Sequence, residues 1–126
     1  APLRWDDTGK PAVDADGVYV SVSHSGPYAV CAVADVPVGV DVEVVRSADE
    51  KFMRRVCSEA EMAYIRVGDD GDCARFWEIW TAKESLFKLT GKGPLLTLSQ
   101  LALPEGVVLD HIREKGCALT TALRLR

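Results

Sequence analysis

The stretch from Asp72 to Thr90 reads DCARFWEIWTAKESLFKLT and decides the fold class. Its apolar residues recur with the period of an α-helix, and Gly91-Lys92-Gly93-Pro94 follows, which predicts one long helix that ends at this segment. Alternating or continuous apolar patterns predict strands on both sides of the helix. These strands are Val18–His24, Tyr28–Ala34 and Val38–Val44 before it, and Leu95–Leu103, Val107–Ile112 and Ala118–Leu125 after it. Strands before and after a helical middle indicate an α+β fold, with an antiparallel sheet packed against the long helix.

The segments around this core give weaker patterns. Between Ser47 and Val67 the apolar spacing predicts two short helices. Ser58, followed three residues later by Glu61, is a capping box that marks the start of the second helix. The first 16 residues are rich in Pro, Asp, Gly and Lys, which predicts a loop with at most a short strand.

The composition is that of one small globular domain spanning residues 1–126. Apolar residues make up 48% and charged residues 27% of the chain, which argues against a disordered or fibrous protein. The longest nearly uncharged run, Gly17–Ala34, is broken by Ser, His, Gly and Pro, so we predict no membrane span. The sequence as given opens on no basic-then-apolar leader, so we expect no secretory signal. A net charge of −4 argues against a nucleic-acid-binding protein.

The four cysteines, Cys31, Cys57, Cys73 and Cys117, contain no CxxC pair, which argues against a zinc or thioredoxin-like site. Cys31 lies in an apolar strand pattern and Cys73 on the apolar side of the long helix. We therefore expect buried free thiols in a cytoplasmic protein, with two disulfides as the alternative.

One carboxylate interrupts the apolar stripe of the long helix. On a helical wheel, Glu84 falls in the arc formed by Cys73, Phe76, Trp77, Trp80 and Phe87. Lys83 and Lys88 lie on the two shoulders of this arc. A carboxylate among tryptophans costs free energy unless it is paired, protonated or bound to a metal. Glu84 therefore either pairs with Lys88 one turn away or belongs to a functional site.

Two more carboxylates, Asp41 and Glu43, share one face of a predicted strand. Their side chains emerge about 7 Å apart, close enough to share one hard cation through oxygen ligands. An ordinary solvated strand face is the alternative. With Glu84 they would form an oxygen-only site suited to magnesium, with positions left for water and substrate phosphates.

His24 lies between Ser23 and Ser25 at the end of a predicted strand. This arrangement is weak support for a hydrolase, because the sequence contains no GxSxG elbow. His24 is either structural or, together with Lys10, Lys83 and Lys88, a source of positive charge for an anionic substrate. Gly9-Lys10-Pro11 would equally serve as a simple turn.

These elements together resemble the 4′-phosphopantetheinyl transferase superfamily. The matching motifs are GKP at 9–11, SVSHSG at 21–26, GVDVE at 39–43 and WTAKESLFK at 80–88, with SEAEMAYI at 58–65 as a further likeness. The resemblance runs from about Gly9 to Gly93. It implies a single transferase-like lobe and transfer of the 4′-phosphopantetheine arm of coenzyme A to a serine of an acyl or peptidyl carrier protein, with release of 3′,5′-ADP.

The resemblance also implies a role for each matching residue. It assigns magnesium to Asp41, Glu43 and Glu84. It assigns coenzyme A to Lys10, Ser23, His24, Lys83 and Lys88. Glu84 is in addition the expected general base for the carrier serine, and Lys88 the expected catalytic lysine at the phosphates. Arg54, Arg55 and Arg66 are candidates for a docking patch for an acidic carrier, or else a solvated helix face.

The chain combines the motif order of the large, two-lobed members of the superfamily with the length of the small, trimeric ones. We therefore expect a homo-oligomer, a trimer before a dimer, with sites shared between subunits. A domain excised from a larger synthase, or a fragment, would explain the same length. The competing functions are a catalytically degenerate module that binds coenzyme A or a carrier protein, and an unrelated metal-dependent phosphohydrolase.

Overall fold

The computed structural model describes residues 3–5, 11–13, 15–68, 73–91, 103–114 and 116–126. Two short strands open the described chain, β1 (Leu3–Trp5) and β2 (Pro11–Val13), followed by β3 (Tyr19–Ser25), β4 (Tyr28–Ala34) and β5 (Val38–Val44). Three helices come next, α1 (Glu50–Val56), α2 (Glu59–Val67) and α3 (Ala74–Thr90), and then β6 (Val107–Glu114) and β7 (Cys117–Arg124). This element order confirms the α+β prediction.

The central sheet is antiparallel, in the order β5-β7-β6, and α3 lies across one of its faces. Gly39 shows how closely the helix approaches β5, because a Cβ atom there would lie 2.2 Å from the Ser85 carbonyl oxygen and 2.8 Å from the Leu89 nitrogen. Side chains alternate along a strand, so Asp41 and Glu43 lie on the same helix-facing side as Gly39. The close contact at Gly39 therefore sets both carboxylates beneath α3.

Strands β3 and β4 form a hairpin that packs beside β5. Its turn requires glycine at position 26, where φ is 54° and a Cβ atom would lie 2.7 Å from the Val44 side chain. β1 and β2 form a second small hairpin, although we predicted at most one short strand in this region. Strands of only three residues are too short to show the two-residue period of a strand, so they are not recognised in a sequence rich in turn residues.

The helices begin and end close to the predicted positions. The capping box at the start of α2 is confirmed, since the Ser58 hydroxyl accepts the Glu61 N–H and Glu61 accepts the Ser58 N–H. The long helix begins at Ala74, two residues later than predicted, because Cys73 has a positive φ of 62°. The helix ends at Gly91, where φ is 67°.

The main apolar core lies between the three helices and β7. The aromatic stripe of α3 supplies its largest side chains, and Phe76 and Trp77 meet edge to face with ring centroids 4.9 Å apart. The buried members of this core are Met53, Val56, Cys57, Met62, Ile65, Phe76, Trp77, Trp80 and Ala118.

The expectation of buried thiols is correct for Cys57 and Cys117 and wrong for Cys31, which is exposed, while Cys73 is half-buried. β4 is apolar throughout, yet its residues alternate between half-buried and exposed, and Cys31 lies on the open face. All four cysteines are free, as predicted. The predicted strand at 95–103 falls almost wholly outside the described residues. Among the helices described, none is long and apolar enough to cross a membrane.

Candidate active site

A cavity of about 680 Å³ opens between the β3–β4 hairpin, β5 and the C-terminal half of α3. Five of the eight residues predicted for the site line it: Ser23, His24, Asp41, Glu84 and Lys88. The remaining lining residues are Val22, Ala29, Val30 and Cys31 from the hairpin. Residues from four separate elements thus meet in one concave, partly charged surface, which is the usual form of a ligand site.

Lys88 joins three of these elements through its ammonium group. Its Nζ lies 3.3 Å from Asp41 Oδ1 and donates to the carbonyl oxygens of Val40 at 3.0 Å and Val22 at 3.2 Å. From the sequence, Glu84 either pairs with Lys88 or belongs to a functional site. In the structure the Lys88 ammonium forms an ion pair with Asp41, and its charge also opposes the effect of burial, which raises the pKa of Glu84.

Asp41 is the most unusual carboxylate of the cavity. Burial raises the pKa of Asp41 from 3.8 to about 7, against the opposing effects of the Lys88 charge and the Ser23 hydrogen bond. Its Oδ1 accepts the Ser23 hydroxyl at 3.0 Å. Its Oδ2 is buried and has no hydrogen-bond partner among the described residues. An unsatisfied buried carboxylate oxygen is costly, and a bound cation would offset that cost.

Glu84 is half-buried at the cavity wall. Burial is also the main cause that raises the pKa of Glu84, with Lys88 opposing it and Glu43 adding to it. A carboxylate with a raised pKa accepts a proton more readily than an exposed glutamate does. Its position beside Lys88 and Asp41 therefore suits a general base.

Glu43 is held by donors on both oxygens. Its Oε1 accepts the Ser25 hydroxyl at 3.1 Å and Arg46 Nη1 at 3.3 Å, and its Oε2 accepts the Trp80 indole N–H at 3.1 Å. The Arg46 guanidinium in turn lies 3.9 Å from the ring centroid of Trp77. Sequence reasoning missed Ser25, Arg46 and Trp80 as partners of Glu43. Of these, only Arg46 lies within a few residues of Glu43 in the sequence, whereas Trp80 lies 37 residues away and leaves no local signal.

The structure does not bring Lys83 to this cavity. Its side chain is buried, and Nζ donates to the Val56 carbonyl oxygen at 2.7 Å and to Glu61 Oε1 at 2.8 Å. Residues five apart on a helix point about 140° apart, so Lys83 and Lys88 reach opposite sides of α3. The prediction that Lys83 contacts coenzyme A beside Lys88 therefore lacks support in this arrangement, and Lys83 ties α3 to the start of α2 instead.

Lys10 falls outside the described residues. The three arginines proposed as a docking patch are not among the residues that line the cavity. Arg54 and Arg66 both form ion pairs with Glu50, at 3.3 Å and 3.2 Å, while Arg55 is exposed on α1. Their positive charge is therefore partly neutralised on the protein surface.

Asp41 is the residue that best fits the binding of a magnesium ion. The donors offered by Asp41, Glu43 and Glu84 are all oxygens, as Mg²⁺ prefers, and Asp41 Oδ2 is an open buried ligand atom. Glu43 has hydrogen-bond donors on both oxygens, and no group of three or more His, Cys, Asp or Glu suited to a metal occurs in the described part of the chain. The three-carboxylate site stays a prediction.

A family model described as the 4′-phosphopantetheinyl transferase superfamily matches residues 37–112, a span that runs from the start of β5 into β6. The chain belongs to this superfamily. The match contains Asp41, Glu43, Glu84 and Lys88, so four cavity or near-cavity residues lie on the segment that defines the family. Ser23 and His24 lie on the hairpin before it.

Curated relatives support the same assignment. The chain is 34% identical over 98 residues to the 4′-phosphopantetheinyl transferase gsp of Aneurinibacillus migulanus, covering 77% of this chain and 41% of the relative. It is 31% identical over 97 residues to Sfp of Bacillus subtilis strain 168, covering 75% and 43%. It is 34% identical over 94 residues to AcpT of Salmonella typhimurium, covering 71% and 49%. The chain thus aligns with less than half the length of these relatives.

Proposed function

We propose that this chain transfers the 4′-phosphopantetheine arm of coenzyme A to a serine of an apo acyl or peptidyl carrier protein and releases 3′,5′-ADP. The observation that carries this proposal is that Asp41, Glu84 and Lys88 line one cavity together with Ser23 and His24, in a chain of this superfamily. Transfer between a pyrophosphate and a hydroxyl needs positive charge at the phosphates and an acceptor for one proton, and this cavity offers both.

In the proposed reaction, the carrier serine oxygen forms a bond to the phosphorus that carries pantetheine, and the bond from that phosphorus to the leaving 3′,5′-ADP oxygen breaks. Glu84 accepts the serine proton. The positive charge of Lys88 offsets negative charge at the phosphates, and His24 contacts the nucleotide end. Asp41, Glu43 and Glu84 would hold Mg²⁺, which supplies charge neutralisation at the pyrophosphate. No covalent enzyme intermediate is needed.

We also propose that the cavity works in an assembly in the cytoplasm. The chain spans less than half the length of the curated relatives it matches. The open face of β4 carries apolar side chains, and Val33 is 67% exposed. A homo-oligomer, a trimer before a dimer, would cover Val33, which lies outside the cavity, and leave Cys31 accessible. Light scattering that finds an active monomer would contradict this part.

A second candidate is a catalytically degenerate module that binds coenzyme A or a carrier protein. Its support is the engagement of both Glu43 oxygens by donors. A phosphohydrolase that uses the same carboxylates is the third.

One assay distinguishes the three functions. The protein is incubated with coenzyme A, Mg²⁺ and an apo carrier protein, and the intact mass of the carrier is recorded. We expect a gain of one phosphopantetheine, abolished by Asp41→Ala and by Glu84→Gln with the circular dichroism spectrum unchanged. Unmodified carrier with hydrolysed coenzyme A would indicate the hydrolase, and near-normal transfer by both variants would refute the site.

Binding without turnover is read from Cys31, an exposed thiol that lines the cavity, whereas Cys57 and Cys117 are buried. 3′,5′-ADP, which carries no thiol of its own, should slow alkylation of Cys31 and leave the half-buried Cys73 unchanged. Protection of Cys31 without any mass gain on the carrier would favour the binding module.

A further inference from the structure

Three serines on β3 join the hairpin to the edge of β5. The backbone N–H of Val40 donates to Ser21 Oγ at 3.0 Å, that of Val42 to Ser23 Oγ at 3.2 Å and that of Val44 to Ser25 Oγ at 3.0 Å. Hydroxyl oxygens thus occupy the places that carbonyl oxygens of a neighbouring strand would take in a regular ladder. We call this set, Ser21, Ser23 and Ser25, the serine ladder.

Two members of the serine ladder, Ser23 and Ser25, also donate hydrogen bonds to carboxylates. Each hydroxyl that accepts an N–H is free to donate its own proton, and Ser23 donates to Asp41 Oδ1 at 3.0 Å while Ser25 donates to Glu43 Oε1 at 3.1 Å. In both cases the carboxylate belongs to the residue immediately before the N–H donor. Ser21 faces Gly39 at the equivalent place, where no carboxylate exists.

From this register we propose that Ser25 is a positioning residue for Glu43, an inference that rests on the proposed metal-dependent function. The Val44 N–H fixes the hydroxyl oxygen, so the direction of the Ser25 O–H is fixed toward Glu43. Trp80 holds the other carboxylate oxygen from α3. Ser25 and Trp80, with Arg46 as a further donor to Oε1, set the orientation of Glu43 before any cation binds, and preorientation lowers the cost of binding.

The chain offers matched variants to test this role. Ser25→Thr keeps the hydroxyl group. Ser25→Val introduces a side chain of the same shape as threonine but without the hydroxyl, so the two variants differ only in hydrogen bonding. Both residues favour strands, and Ser25 is only half-buried, so we expect both variants to fold. Ser21→Ala removes the matching N–H acceptor without touching a carboxylate, which controls for the attachment of the hairpin.

The readout is the binding of Mn²⁺ alone, followed by electron paramagnetic resonance without coenzyme A or carrier. We expect Ser25→Val to bind Mn²⁺ about 10-fold more weakly than Ser25→Thr, with Ser21→Ala within about twofold of the unaltered protein. In turnover, the same loss should appear as a higher Mg²⁺ requirement, with the KM for coenzyme A unchanged.

Equal Mn²⁺ binding by Ser25→Val and Ser25→Thr would overturn the inference, as would an equal loss in Ser21→Ala or no Mn²⁺ binding by the unaltered protein. The failure of the proposed function looks different. A protein that never modifies the carrier, yet loses Mn²⁺ affinity in Ser25→Val alone, keeps the positioning role and refutes the transferase.

Discussion

Two lysines of α3, five residues apart, end in opposite kinds of environment. Lys83 is enclosed between α1, α2 and α3, where its ammonium meets a backbone carbonyl oxygen and Glu61. Glu61 Oε1 also accepts the Ser58 N–H of the capping box, so this ion pair closes a local network. Lys88 faces the cavity, where its carboxylate partner, Asp41, retains an unsatisfied buried oxygen.

The two ion pairs differ in role, since one stabilises the fold and the other lies where a ligand would bind. The Lys83 pair is enclosed at a helix junction outside the cavity, whereas the carboxylate beside Lys88 lines the cavity and has a buried open oxygen, a state that a ligand would improve. We therefore expect the region around Lys83 to hold the helices together and the region around Lys88 to bind and react. The following variants test that division.

Lys88→Met should have the largest effect, and it should fall on transfer. Loss of one charged donor at a phosphate typically costs about 10²- to 10³-fold in rate, because developing negative charge is no longer offset. The measurement is kcat/KM for carrier modification, with Cys31 protection by 3′,5′-ADP as the binding readout. A variant that keeps near-normal transfer would erase the proposed distinction between the two lysines.

Lys83→Met should act mainly on stability. Removal of one partner of a buried ion pair costs about 3 kcal/mol, because Glu61 and the Val56 carbonyl oxygen lose their donor in a region that water reaches poorly. Urea denaturation measures the loss, and transfer by the folded fraction should stay close to that of the unaltered protein. Lys88→Met is the matched control, and a larger loss of stability in that variant would reverse the comparison.

Asp41→Asn should change how stability depends on pH, an effect confined to conditions without divalent cations. Burial raises the pKa of Asp41 from 3.8 to about 7, so the folded protein binds this proton more tightly than the unfolded chain does. The stabilisation is complete below about pH 4 and is lost as the pH rises through 7. We expect the unaltered protein to lose stability relative to Asp41→Asn over this range.

Urea denaturation from pH 4 to pH 8 in the absence of divalent cations measures this difference. Parallel curves for the two proteins would mean that folding leaves the pKa of Asp41 unchanged. The cavity would then lack the strained carboxylate that distinguishes it from the Lys83 network.

Local features were predictable because each depends on neighbours a few residues away. The strands Tyr28–Ala34 and Val38–Val44 and the capping box at Ser58 match the prediction, since a period of two or a cap residue is visible within one short window. The long helix was displaced only at its start, by the positive φ of Cys73. Motif spacing also predicted five of the residues that line the cavity.

The sequence by itself thus determined the fold class, most of the elements and the superfamily of this protein. Only the tertiary structure decided which side of α3 each lysine serves, that Cys31 faces outward, and that Ser25 and Trp80 hold Glu43. These contacts join residues 18 to 66 positions apart, as in Ser25 with Glu43 and Lys88 with Val22. Separations of this kind leave no periodic trace, because packing between elements and not local geometry brings the groups together.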